Sequence, residues 1–327
     1  MNTRKLLRLG LGAVMGVLFV WLTLRHIDGA RIAAVMRGAR LDLLGAAIAA
    51  LCVGYVCRIL RWQTMLLRAN PALRAVDCAG PLVASFAANN VLPFRAGDLM
   101  RAFVFNGRLQ TTPGSVLATL FVERLLDLLM VILLLGLALA VFHFDVSRLV
   151  GLGVPLLLSG AAAILAVLLF PQVLQPLLRG LGSLAGRLPA AAKVQQELRK
   201  VTDTLAQLSG GSTMLRLIAW SAGAWLIEGG VYGLVAQSLA GIRAAQGAWL
   251  AVPVGTLATL IPSTPGYVGT FDYFTAQAMV LAGNEPTAAA AFAFLVHLVL
   301  WLPPTVAGGL YLLLRPSTVG VPKEQAI

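Results

Sequence analysis

Charge is scarce in this chain. Asp, Glu, Lys and Arg make up 12% of its 327 residues, whereas soluble globular proteins carry about 25%. There are too few polar side chains to coat a sphere of this size in water. A 59% hydrophobic content and a mean hydropathy of +0.86 place the chain in lipid instead. Acids are the scarcer sign, 13 against 25 basic residues. In a membrane protein that excess gathers in cytoplasmic loops and meets anionic head groups, so no nucleic acid is called for. The three cysteines, Cys52, Cys57 and Cys78, form no C-x-x-C pair, and the three histidines, His26, His143 and His297, are scattered. A disulfide framework and a zinc site are both excluded by that spacing. No nucleophile elbow, H-E-x-x-H, P-loop or G-x-G-x-x-G is present, and neither a cofactor nor a metal is expected.

What the chain has is long apolar runs. Leu6–Leu24, Leu41–Leu60 and Leu149–Phe170 read as plain membrane spans of about 20 residues. The first has the outline of a retained signal anchor. Ser115–Phe142, Leu217–Ala240 and Ala288–Leu314 are long enough too, but hold Glu123, Arg124 and Asp127; Glu228; and His297 respectively. Between the spans, Lys193–Leu208 puts Val194, Leu198, Val201, Leu205 and Leu208 on one stripe under Lys193, Arg199 and Lys200, an amphipathic helix lying on the membrane surface.

Two further regions, Cys78–Gln110 and Ala248–Ala282, are apolar but interrupted by Pro93, Gly97, Pro262, Pro265, Gly266 and Gly269. They read as broken helices or re-entrant hairpins. Leu92-Pro93-Phe94-Arg95-Ala96-Gly97 rhymes with Ile261-Pro262-Ser263-Thr264-Pro265-Gly266 in an apolar-Pro step followed by Gly four residues after the Pro. Each is flanked by spans. The expected fold is an all-α, polytopic membrane bundle forming one transmembrane domain. Its parts are a signal anchor and outer loop (1–40), a first repeat (41–142), a connecting span and surface helix (143–216), an inverted second repeat (217–314) and a tail (315–327). Basic residues fall mostly on the side that puts both termini in the cytoplasm of a bacterial inner membrane, with the four Arg of 25–40 running against the trend.

Ionisable residues at membrane depth are the site candidates. An acid at the bilayer centre costs about 2.5–3.5 kcal/mol, so Glu228 needs a partner or a role. Glu123 and Asp127 share a helix face, and Arg124 reaches Asp127 at a spacing of three. That cluster is expected near the cytoplasmic boundary, either as a lock onto the Arg95–Asp98 loop or as a head-group site. Asn89, Asn90, Arg95, Asp98 and Arg101 form a polar break, and Arg95 and Arg101 have the planar fork that suits phosphate. Arg58, Arg61 and Trp62 read as snorkelling and anchoring groups at the end of a span. Backbone groups near Pro262–Gly269 would close the opposite side, where Thr264, Gly266, Tyr267 and Asp272 are further candidates, and His297, in the last arm of the second repeat, is a secondary one.

The series Arg58-x-x-Arg61-Trp62, Asn90-x-x-Pro93-x-Arg95-x-Gly97-Asp98-x-x-Arg101, Glu123-Arg124-x-x-Asp127 and Pro262-x-x-Pro265-Gly266-x-x-Gly269-x-x-Asp272 resembles the lysylphosphatidylglycerol synthase transmembrane family of flippase-like proteins, from about Leu41 to Leu314. That family frequently carries Gly and Glu where this chain has Tyr267 and Asp272. The resemblance implies movement of lipids between leaflets; aminoacyl transfer, the work of a separate soluble domain, is not expected of these residues. A lipid with an anionic head group, an anionic phospholipid or a polyprenyl phosphate, is the expected partner. Two other readings are a lipid-modifying enzyme with Glu123 or Asp127 as general base, and an accessory protein that docks a lipid or cell-envelope synthase through Lys193–Leu208.

Overall fold

The computed structural model describes residues 3–25, 29–142, 147–170, 172, 203–261 and 264–315, the side chains of 3–13, 94 and 147–156 aside. His26, His143, Pro262 and the greater part of the expected surface helix, with Lys193, Arg199 and Lys200, lie outside them. The described residues are helical throughout their regular structure. In chain order the elements are α1 (Thr3–Leu24), α2 (Gly29–Arg37), α3 (Leu41–Leu66), α4 (Ala75–Val91), a 3-10 turn at Pro93–Arg95, α5 (Ala96–Phe103), α6 (Asn106–Leu109), α7 (Pro113–Phe142) and α8 (Ser147–Leu169). After a helical stretch at 203–208 follow α9 (Gly211–Ser238), α10 (Gly247–Ala258), a second 3-10 turn at Pro265–Tyr267, α11 (Thr270–Leu281) and α12 (Pro286–Leu314).

Helices α3, α7 and α12 are long and apolar enough to cross a membrane. They expose Val53, Val56, Leu133, Leu137, Leu298 and Leu302, side chains that suit acyl chains rather than water. The three coincide with the spans expected from Leu41, Ser115 and Ala288; α1 contains the span expected at Leu6–Leu24, and α8 and α9 cover the other two to within two residues of their ends. The chain is therefore an all-α membrane bundle.

Small residues set which helices approach closely. Helices α3 and α9 run antiparallel along their whole length: Arg40 N donates to Ser238 O (2.9 Å) at one end and Arg68 Nη2 to Thr213 Oγ1 (3.0 Å) at the other. Gly54 and Gly223 lie in the seam between them. Helix α4 is antiparallel to α12, with Gly80 against Tyr311 and Gly308 against Val83 and Ala87. Asn90 Nδ2 fixes that register by donating to Thr305 Oγ1 (2.8 Å). Helices α10 and α11 form an antiparallel hairpin, with Gly247 beside Ala282 and Gly255 beside Thr275, and α11 is in turn antiparallel to α12. Together these pairings make α4 and α10 point in opposite directions.

The contacts are preserved when α3, α4, α5 and α7 are exchanged with α9, α10, α11 and α12. The pair α4–α12 becomes α10–α7, α4–α5 becomes α10–α11, α5–α7 becomes α11–α12, and α3–α9 maps onto itself. Span, broken hairpin, span thus occurs twice in inverted orientation. The register between the breaks differs from the expected one. Pro93-Phe94-Arg95 matches Pro265-Gly266-Tyr267 and not the segment starting at Pro262, because both triplets form the 3-10 turn. Each turn ends on a non-glycine residue in the left-handed region, Arg95 (φ 51°) and Tyr267 (φ 62°). Each is followed by a glycine four residues after the Pro and by an aspartate at the third position of the helix behind it, Asp98 or Asp272. Gly97 is required because its α-carbon faces the Ser85 carbonyl and the Asn89 amide.

A buried ionic core locks the first hairpin to the spans. Arg101, fully buried, donates from Nη1 to Glu123 Oε2 (3.0 Å) and from Nη2 to Oε1 (3.4 Å), with its guanidinium stacked 4.9 Å from the Trp62 ring. Arg61 Nη1 donates to Asp127 Oδ1 (2.7 Å) and Ser221 Oγ (3.1 Å), and Trp62 Nε1 donates to Thr119 Oγ1 (3.1 Å). These bonds join α3, α5, α7 and α9. They correct two expectations. Arg61 and Trp62 are core residues, not interfacial anchors, because α3 continues to Leu66 instead of ending at Leu60. Arg101 has both terminal nitrogens on Glu123, so it serves as a structural counter-ion and not as a phosphate fork.

Removing one partner leaves an uncompensated buried charge, which costs about 3–5 kcal/mol, while replacing both by apolar groups is close to neutral. Arg101→Met is expected to lower the thermal unfolding temperature of the detergent-purified protein sharply, and Arg101→Met with Glu123→Met to recover most of the loss. Gly97→Ala forces a methyl group into the Ser85 carbonyl and should destabilise by about 1–3 kcal/mol in the same measurement.

Candidate functional site

The two breaks meet. Arg95 Nε donates to Tyr267 Oη (2.9 Å), and Trp301 Nε1 donates to the Asn90 carbonyl (3.4 Å) beside Gly266. Backbone in the left-handed region costs about 1–3 kcal/mol for a side chain such as Arg95 or Tyr267. Both residues adopt it and bond to each other, so the strain is held by the contact between the hairpins.

Behind this contact lies a cavity of about 230 Å³. Four charged side chains face it: Arg58 from α3, Arg124 and Asp127 from α7, and Glu228 from α9. Arg58 Nη2 donates to Glu228 Oε2, and the guanidinium lies 5.6 Å from the Trp225 ring. Trp225 Nε1 donates to Asp127 Oδ1 (3.1 Å), the oxygen that also accepts from Arg61. Arg124 Nη2 donates to Asp98 Oδ2 (3.0 Å), and its Nη1 is 3.8 Å from Asp127 Oδ2. Arg124 keeps 36% of its side chain exposed against 12% for Arg58, which makes it the more accessible cation. The hydroxyl of Tyr232, a cavity-lining residue, has no protein partner among the described residues.

The rest of the wall comes from the second hairpin. His297, also a lining residue, places Nδ1 2.7 Å from Asp272 Oδ1 and Nε2 2.9 Å from the Gly266 carbonyl. Asp272 Oδ2 accepts from Gly269 N (2.8 Å), closing the turn at the head of α11.

Most of the residues expected at a site converge here, though not in the roles expected of all of them. Asn89 holds Asp98 in place (Nδ2 to Oδ1, 3.0 Å), and Asn90 ties α4 to α12 at the cavity edge. Glu123 and Arg101 sit behind the wall in the ionic core. The Glu123–Asp127 cluster, expected apart from Glu228 near the membrane boundary, sends Arg124 and Asp127 into the same cavity as Glu228. Thr264 does not line it: its hydroxyl donates to Val268 O (2.9 Å) and its methyl abuts Gly16 of α1. Gly266, Tyr267 and His297 do line it, and Asp272 stands directly behind His297.

Arg58 was read as a snorkelling group and is instead the partner of Glu228. The signal was available, since an acid deep in a span calls for a cation and Arg58 is one turn from Arg61 in a neighbouring span. Tyr55, Trp225 and Tyr232 also line the cavity, and nothing in the sequence marks them as doing so. Aromatics inside apolar runs look alike whether they face a cavity or lipid.

Over residues 6–308 the sequence matches the family described as the lysylphosphatidylglycerol synthase TM region. It is also 27% identical over 330 aligned positions to a protein of Haloferax volcanii named glycosyltransferase AglD. The alignment takes in 88% of this chain and 51% of that protein, so the chain spans about half the length of this relative. With nearly all of its described helices inside the matched range, the chain belongs to the lysylphosphatidylglycerol synthase transmembrane-region family of integral membrane proteins.

Proposed function

We propose that this protein moves a lipid with an anionic head group, an anionic phospholipid or a polyprenyl-phosphate-type lipid, between the leaflets of a bacterial inner membrane, with both termini cytoplasmic. One observation carries the reading: two oppositely directed broken hairpins touch through Arg95 and Tyr267 beside a charged cavity enclosed by membrane helices. Pockets for drug-sized ligands run to about 300–1,000 Å³. A cavity of about 230 Å³ therefore suits a head group, while the chains stay in the bilayer.

The charge balance supports an anion. Arg58, Arg61, Arg101 and Arg124 are matched by Glu228, Glu123, Asp127 and Asp98 in ion pairs. Arg95, at the hairpin tip, has no carboxylate within ion-pair distance among the described residues and is held by a phenol instead. A phosphodiester would meet Arg95 and the exposed face of Arg124, and could displace Glu228 from Arg58 as it enters. Exchange of one carboxylate for one phosphate keeps the cavity near neutrality, so no bare charge is left in a low-dielectric site.

Lipid modification is the second reading, favoured by the name of the Haloferax relative and by Asp127 on the cavity wall. Against Asp127 as a base, its Oδ1 already accepts from Arg61 and Trp225.

Vesicles reconstituted with the protein and carrying tail-labelled fluorescent phosphatidylglycerol, polyprenyl phosphate or phosphatidylcholine test this. Wild type is expected to expose inner-leaflet anionic lipid to an external quencher faster than empty vesicles do. Arg58→Gln or Glu228→Gln should slow this by about 10-fold or more, since each leaves a buried charge unpaired at the site. Equal rates with and without protein for every lipid overturn the proposal, and a new lipid mass after incubation with total lipid extract establishes the enzyme instead. Arg95→Ala, which removes the cation held by Tyr267 at the hairpin tip, is expected to slow the anionic lipids more than phosphatidylcholine.

A further inference from the structure

We propose that His297 and Asp272 form a proton-binding latch on the second hairpin, and that a proton is the ion coupled to lipid movement through the cavity. The second clause rests on the transport reading above. The first stands on hydrogen-bond bookkeeping alone.

A carbonyl oxygen can only accept, so the 2.9 Å contact with the Gly266 carbonyl requires a hydrogen on His297 Nε2. Nδ1 then faces Asp272 Oδ1 at 2.7 Å, and a hydrogen must lie between them as well. The pair is either an imidazolium with a carboxylate or a neutral imidazole with a carboxylic acid. In both forms it holds one proton more than a neutral imidazole beside a carboxylate. The other carboxylate oxygen cannot take up the difference, because it accepts from Gly269 N.

Loss of that proton leaves two lone pairs facing each other at 2.7 Å, or shifts the remaining hydrogen to Nδ1 and sets the Nε2 lone pair against the Gly266 carbonyl, giving up that bond. The segment released is built to move: Gly266 (φ 70°), Tyr267 (φ 62°) and Gly269 (φ 92°) all lie at positive φ, a conformation that glycine leaves without cost and that Tyr267 occupies under strain. Tyr267 also holds Arg95 of the first hairpin. Letting go of Gly266 therefore loosens the contact between the two tips.

The proton has a route, since His297 keeps 15% of its side chain exposed on the cavity wall. Across the cavity from it stand Arg58 with Glu228, and Arg124 with Asp127, each cation already paired with a carboxylate. The phenols Tyr55, Tyr232 and Tyr267 complete the titratable lining and bear no charge in the neutral range. The latched tip binds one proton more than the released one, so it is favoured at low pH and lost as pH rises.

The test places a cysteine at the tip, Val268→Cys, in a chain whose Cys52, Cys57 and Cys78 are replaced by Ala; Val268 is 45% exposed. Maleimide labelling is followed from about pH 5 to pH 8, the range in which histidine titrates. Leu281→Cys serves as the control for thiol ionisation. Corrected labelling should rise several-fold with pH, within the limit of about 10-fold per pH unit for one linked proton. Asp272→Asn is the sharper variant. Its amide can donate to His297 Nδ1 while its oxygen accepts from Gly269 N, so the tip should stay latched and slow to label at every pH. His297→Ala should label fast throughout. A wild type with flat labelling, or an Asp272→Asn protein that keeps the wild-type pH response, overturns the latch even if vesicles carrying the protein move lipid. With the latch in place, an imposed pH gradient should speed movement of fluorescent phosphatidylglycerol in wild type and not in Asp272→Asn. Equal acceleration in both overturns the coupling.

Discussion

A charge taken out of water in the middle of a membrane must meet its opposite, and in this protein that requirement decides which helices touch. Deleting every apolar contact would still leave α3, α5 and α7 tied through Arg61, Arg101, Glu123 and Asp127, and α9 tied to α3 through Arg58 and Glu228. Apolar packing between helices offers little discrimination in lipid, because a leucine facing another helix and one facing an acyl chain are in similar solvents. Ion pairs discriminate strongly. The buried pairs are therefore best understood as fixing the arrangement rather than adding stability, since hydrophobic replacement of a whole pair costs little.

The same requirement explains the breaks. Unwound backbone survives at membrane depth only where protein or a polar cavity satisfies it. Here the freed groups find partners in protein: across the repeats the Asn90 carbonyl accepts from Trp301 and Arg95 bonds to Tyr267, while within the second repeat the Gly266 carbonyl faces His297. Inversion of the repeats brings both sets of unsatisfied groups to one place, and the cavity forms where they meet.

How much of this could be read from the chain depended on the kind of information needed. Span positions follow from apolar length, and the breaks follow from Pro and Gly, which act within a few residues of where they occur. Pairing is not local. Arg61 and Trp62 sit at the end of an apolar run and look interfacial, but both are buried, Arg61 bonded to Ser221 of α9 and Trp62 to Thr119 of α7, and α3 continues past them to Leu66. The rhyme between the breaks was visible in the wrong register, since Pro262 and Pro265 both precede a glycine by four and only backbone geometry distinguishes them. Asp272 and His297, 25 residues apart on separate helices, come together because α11 folds back along α12.

Symmetry of the backbone does not extend to the chemistry of the two tips. At the first, the aspartate of the arm, Asp98, meets the permanent cation Arg124; at the second, Asp272 meets the imidazole of His297 across a contact that needs a hydrogen from one partner or the other. One hairpin is thus fastened by a guanidinium–carboxylate pair and the other by the contact proposed above to depend on an extra proton. On the transport reading, the two sides must open at different times, and two identical fastenings would give no order to the openings. A fixed pair on one arm and the proposed protonatable pair on the other would supply that order from the difference between Arg124 and His297, within a scaffold whose helices otherwise exchange.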